Sequence, residues 1–213
     1  FFTFFAGTGG GLVITNHIEF IVLAQFGTGR KGDAKRVSDS LISLFSVFNS
    51  LGRLGAGLGS DVARGCIHRP TFFAAAAAVM GLSHVLLLGA NVTLLLYAAI
   101  ACGGTAYGAF WSLCPTIIGE LFGLKAFAST YNAYTPAVSG ASLLLSATLA
   151  SCVAEAHTQP APPAPPGMPP PPPPPCLGAL CYRDTHLVLI SLCAVGVVTS
   201  LAVSWRTRHY YHN

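Results

Sequence analysis

The chain has 213 residues, of which 53% are hydrophobic and only 8% charged, where ordinary soluble domains carry roughly a quarter charged residues. Mean hydropathy is +0.62 and the formal net charge is +4, but the eleven Lys and Arg are scattered between apolar blocks instead of gathered on one face. These values exclude a soluble domain of ordinary composition and show no nucleic-acid footprint; they describe an all-α membrane protein whose partner is the lipid bilayer.

In chain order the apolar blocks run from Phe1 to Phe26, Ser38 to Gly59, Thr71 to Gly89, Val92 to Leu113, Phe127 to Cys152 and Thr185 to Trp205. A bilayer-spanning helix needs about 20 such residues, so the pattern predicts six helices and one bundle over 1–213. The first block opens on Phe1 without an initiator Met or a charged cap, and the expectation is a fragment that starts inside a helix. No positive n-region or small-residue cleavage site supports a signal peptide.

The first block carries GTGGG and then Asn16, His17 and Glu19. Two readings stand. Glycines loosen helices around transporter sites and a His or buried Glu can carry a proton, or both ionisable residues lie at the outer interface and are solvated. The polar stretch 27–39, GTGRKGDAKRVSD, ends with Ser38 or Asp39 placed to cap the second helix.

The second block holds an arginine within apolar sequence, in LISLFSVFNSLGRLGAGLGSDVAR. Arg53 lies eight residues before Asp61, about 12 Å deeper along a helix, too deep for easy snorkelling. At mid-membrane an ionised group costs about 2.5 to 3.5 kcal/mol. Arg53 is therefore expected to face a translocation cavity or to pair with a carboxylate of another part of the protein, and Asn49, four residues earlier, shares its face.

His84 stands alone on an apolar face, which reads as a satisfied packing histidine. Asn91 marks a tight turn between the third and fourth blocks and opens an Asn-Val-Thr sequon that is expected to carry no glycan. Tyr107 and Trp111 fall four apart and either line the Arg53 cavity or act as packing and interface anchors. Pro115 and Pro136 are expected to kink or end helices. Glu120 and Lys125 flank a short connector, where a salt bridge is expected.

Between the fifth and sixth blocks, 157–182 is a proline-rich insert: twelve of the fifteen prolines lie between Pro160 and Pro175. They forbid helix and favour an extended spacer. Cys176 and Cys181, in CLGALC, are close enough for a disulfide if the loop faces an oxidising compartment. The other cysteines read as small hydrophobes, and no metal site or bound cofactor is implied. Flanking charges are tied, five Lys and Arg on each side, so the positive-inside rule does not orient the chain.

GLGSDVARG, from Gly57 to Gly65, resembles the Gly, three residues, Asp, two residues, Arg pattern of major facilitator superfamily transporters. GTGGGLVITN, FNSLGRLGAGLGSD, IHRPTFF, YGAFWSLCPTIIGELFGLKAFASTYN and CLGALCYR, in that order, resemble the C-terminal half of the nodulin-like (NFD4-type) branch. The resemblance implies helices seven to twelve of a twelve-helix secondary transporter, with an N-terminal six-helix half as partner. It places the Gly57–Gly65 segment at the cytoplasmic gate, where Asp61 and Arg64 form charge-assisted bonds and Glu120 and Lys125 lie nearby.

Monocarboxylate porters of the same superfamily carry an arginine at a place similar to Arg53, where it binds the anionic substrate. The implied function is alternating-access transport of a small solute, an organic anion, with protons as driving ion. The rivals are a six-helix channel that assembles as an oligomer and a non-transporting membrane protein. Enzyme motifs such as HExxH or GxSxG are absent, which argues against an intramembrane enzyme.

Overall fold

The computed structural model of the chain describes residues 1–26, 31–90, 92–158, 176–178 and 180–211. Among these residues there are five helices: α1 Phe2–Phe26, α2 Lys31–Val62, α3 Arg69–Leu88, α4 Thr93–Ala156 and α5 Leu180–Tyr211. The Asn91 sequon and most of the proline tract lie outside the described residues.

Within α4 the backbone is α-helical over Thr93–Ala141, π-helical over Ser142–Ala150 and α-helical again over Ser151–Ala156. Gly123 interrupts it with φ 73° and ψ 166°, a conformation reserved for glycine. The helix folds back there. Gly7 of α1 packs against Phe110 and Gly9 of the same helix against Leu145, although residues 110 and 145 of a straight helix would lie about 50 Å apart.

The blocks expected as separate fourth and fifth helices are thus two helical arms that meet at the non-helical Gly123 without a loop between them; α4 counts as one continuous element among the five described, in place of the two that were expected. Pro115 and Pro136 lie inside the arms and do not end them. Six residues after Pro136 the chain widens into the π segment, where Thr148 Oγ1 donates to the Leu143 carbonyl five residues back at 2.8 Å. The expected cap at Ser38 or Asp39 is also corrected: α2 already runs from Lys31, and Ser38 Oγ donates to the Ala34 carbonyl inside it.

Four segments are long and apolar enough to cross a membrane: Ala34–Val62, Arg69–Leu88, Thr93–Ala156 and Leu180–Arg208. The remaining helix, α1, is 25 residues long, but Asn16, His17, Glu19 and Gln25 dilute its apolar run. It occupies the middle of the bundle and packs against α2, α3, both arms of α4 and α5. Its buried residues Phe4, Val13, Ile14, Ile18 and Ile21 meet Phe110, Leu113, Met80 and Leu145 in one core.

Helices in lipid gain little from hydrophobic burial against each other and associate through close packing of small residues. The α2–α4 seam follows that rule. Gly52 abuts the Thr105 carbonyl, Gly104 the Phe45 carbonyl and Gly108 the Asn49 carbonyl, so a methyl group at any of the three would overlap backbone oxygen. This seam brings the Asn49–Arg53 face of α2 onto the Tyr107–Trp111 face of α4.

The bundle has two ends. At the turn end lie residues 63–68, between α2 and α3, and Glu120 of α4. At the loop end the Gly178 N–H donates to the Ala24 carbonyl at 2.8 Å and Gln25 Nε2 to the Leu87 carbonyl at 3.1 Å, tying the 176–178 segment, α1 and α3 together.

Candidate functional site

Asn49 and Arg53 occupy one face of α2 because they are four residues apart. Arg53 Nε donates to Asn49 Oδ1 at 3.3 Å, and the guanidinium carbon lies 5.8 Å from the centre of the Trp111 ring, a cation–π arrangement. Tyr107 stands 6.2 Å from Trp111, edge to face, and Phe4 of α1 closes the aromatic group at 5.5 Å from Trp111. Asn49, Arg53, Tyr107 and Trp111 are therefore one cluster, as the sequence spacing suggests.

Two features of this cluster ask for a ligand. Arg53 is exposed and has no carboxylate partner among the described residues. The indole N–H of Trp111 is buried without an acceptor among the described residues, and an unmade hydrogen bond of this kind costs about 1–3 kcal/mol. An exposed guanidinium of this type suits a group bearing acceptor oxygens and negative charge.

Asn16 and His17 do not join Arg53. Asn16 Nδ2 donates to Ser146 Oγ at 3.0 Å, His17 Nε2 lies 2.9 Å from the Ser146 carbonyl, and Tyr182 Oη is 3.4 Å from His17 Nδ1. They fasten α1 to the π segment of α4 and to α5. From Phe4, beside Trp111, to Asn16 the helix climbs about 18 Å, which separates the two groups along the bundle. Glu19 is exposed.

At the turn end, Asp61 and Arg64 each make a charge-assisted bond within a cluster around Arg69. Its side chain is only 7% exposed and donates to Asp61 Oδ1 at 2.5 Å, Glu120 Oε1 at 2.7 Å and Ser60 Oγ at 2.8 Å. Arg64 reaches the same Glu120 oxygen at 3.2 Å from a 67% exposed position. Both arginines thus hold Glu120, and Lys125 is exposed on the far side of the Gly123 bend. Gly57 packs α2 against Ser112 of α4.

The signal for Arg69 was in the chain: Arg-Pro at a helix start, with proline preset for the first turn, puts the guanidinium back over the end of α2. A second miss is His84. Its Nδ1 lies 3.2 Å from Nδ1 of His186 on α5, and neither Nε2 has a partner among the described residues. It is a member of a buried pair rather than a satisfied packing histidine. At the loop end Cys176 and Cys181 are joined as a disulfide, with Cα atoms 5.9 Å apart.

Comparison with the curated proteins and with the solved structures gives no match. The family profile described as NFD4, C-terminal domain matches residues 1–162, which take in α1 to α4 and end inside the proline tract. With apolar helices and this match over most of its length, the chain is a membrane protein that belongs to the NFD4 C-terminal domain family, a nodulin-like transporter domain.

Proposed function

We propose that this domain is the C-terminal bundle of a major facilitator superfamily secondary transporter and that it moves a small organic anion by alternating access. In this reading α1 to α3 and α5 each cross the membrane once and α4 crosses twice, bending at Gly123. That gives six spans. The turn end is cytoplasmic, and the Arg69 cluster joins α2, α3 and α4 there as a clamp that changes between the two access states.

One observation carries the assignment of solute: the exposed Arg53 guanidinium, without a carboxylate partner among the described residues, lies over the face of Trp111, whose buried indole N–H has no acceptor among them either. The face of α2 that bears Arg53 supports a polar path along the same helix. Ser43, Ser46, Ser50 and Arg53 recur at helical spacing and all are exposed. The serine hydroxyls are satisfied by carbonyls of their own helix, so Arg53 alone demands a polar surrounding. We assign that surrounding to a central cavity between this bundle and a second six-helix half that packs against α2.

The test is uptake by the full-length protein in proteoliposomes, screened against organic carboxylates and metal chelates. Once a transported solute is found, Arg53→Ala is expected to lower uptake at least tenfold and Arg53→Lys to restore part of it. Unchanged uptake by Arg53→Ala overturns the site.

A further inference from the structure

The His84–His186 pair lies outside the Arg53 cluster and has no role in the reading above. Both rings are buried, one on α3 and one on α5, with their centres 5.3 Å apart and the two Nδ1 atoms 3.2 Å apart. A hydrogen bond between two Nδ1 atoms requires one to carry a proton and the other to be bare. The neutral pair must therefore contain one ring of each tautomer, which leaves one bare Nε2 and one Nε2–H, both without a partner among the described residues.

A cavity of about 80 Å³ reaches His186 of this pair from the loop end, far more than the roughly 10–15 Å³ one water needs. It is lined by Ala24, Gln25, Leu87, Gly178, Tyr182 and His186. Gln25 Oε1 is another buried atom without a partner among the described residues, so two of the residues that line the cavity, Gln25 and His186, carry an unsatisfied polar atom close behind its wall. The disulfide-closed segment holding Gly178 covers it. On the inner side, a methyl at Gly10 of α1 would press on both His84 Nε2 and Met80 Sδ, which places the far nitrogen of the pair against the central helix.

We propose that His84 and His186 form a proton-binding site, loaded by water through the loop-end cavity, and that this proton is the driving ion of the transport proposed above, on which the coupling role rests. With His186 as the Nδ1–H tautomer, its bare Nε2 takes a proton from cavity water when the wall between them opens. Its Nδ1 proton then passes to Nδ1 of His84, which leaves His186 neutral and His84 as the imidazolium. The pair gains one proton. A second is opposed by charge repulsion between rings in contact.

The titratable groups around the pair are few. Tyr182 on α5 has its ring 6.4 Å from that of His186, and His17 of α1 lies behind Tyr182. No group of three His, Cys, Asp or Glu gathers among the described residues, so two imidazoles here suit a proton better than a coordinated metal, which needs more ligands.

The experiment is nitrogen-15 histidine NMR of the full chain in lipid nanodiscs from pH 8 to 4, with zinc as the competing probe. The expected result is coupled titration of the His84 and His186 rings with uptake of one proton per pair, unchanged in Tyr182→Phe and lost in the His84→Gln, His186→Gln double variant. The two glutamines can keep a hydrogen bond across the gap, and circular dichroism checks that the helices remain. Rings that stay neutral throughout, two independent protonations, or one tightly held zinc ion per chain with rings silent to pH would overturn the proposal. Proton uptake without any solute movement in proteoliposomes contradicts the transport reading and leaves the proton site standing.

Discussion

Arg69 Nε lies 2.7 Å from Glu120 Oε1, which ties the start of α3 to the first arm of α4, and the same guanidinium holds Asp61 at the end of α2. Three helices meet on one buried cation. Arg64 shares Glu120 from the surface, 67% exposed.

This difference in burial predicts unequal losses. Removing one partner of a buried ion pair leaves the other charge stranded and costs about 3 kcal/mol or more, whereas an exposed pair contributes about 1 kcal/mol or less. Arg69→Ala is expected to lower unfolding stability by about 3 kcal/mol and Arg64→Ala by under about 1 kcal/mol. Denaturant titration in mixed micelles checks both, and equal losses would show that the cluster is not centred on Arg69.

The α2–α4 seam predicts a sharp contrast among glycines of one helix. Gly52 faces the Thr105 carbonyl, while an added methyl at Gly55 meets nothing within 4 Å. Gly52→Ala should depress folding yield and melting temperature, and Gly55→Ala should leave both unchanged or raise them slightly, since alanine is better in a helix by about 0.5–1 kcal/mol. Melting curves of the two variants read the difference directly.

At the bend, Gly123 also has open space around its Cα, so the cost of Gly123→Ala is confined to the backbone. A side chain held at φ 73° and ψ 166° costs about 1–3 kcal/mol. Gly123→Ala is expected to lose that much stability, and Gly119→Ala, at an ordinary helical position of the same arm, to lose less. Equal stabilities for the two variants would argue for a straightened α4.

Thiol counting tests the loop end. Five cysteines are free and two are joined, so maleimide labelling of unfolded chain without reductant should add five labels, and seven after reduction. Cys176→Ser should free Cys181 and give six labels without reductant.

Much of the fold was legible because lipid demands long apolar runs and leaves them visible in composition. The Arg53 cluster was legible too, since Asn49 with Arg53 and Tyr107 with Trp111 each follow the four-residue helical period. The sharp break at Gly123, in place of a connecting loop, was not, because a glycine at positive φ looks in sequence like the many other glycines of this chain. Arg69 was legible only in part: Arg-Pro marks a helix start, but the turn of residues 63–68 decides whether Arg69 or Arg64 is the buried one. His84 and His186 lie 102 residues apart, and no local period links them.

The double crossing of α4 is the claim on which the transporter reading turns, and side-specific labelling in sealed vesicles tests it most directly. In otherwise cysteine-free full chain, one variant keeps Cys66 in the α2–α3 turn and another carries His157→Cys after α4. An impermeant maleimide added outside is expected to label only one of the two, because α3 and the two arms of α4 make three crossings between them. Labelling of both from the same face would mean that α4 crosses once, and would contradict the six-span bundle.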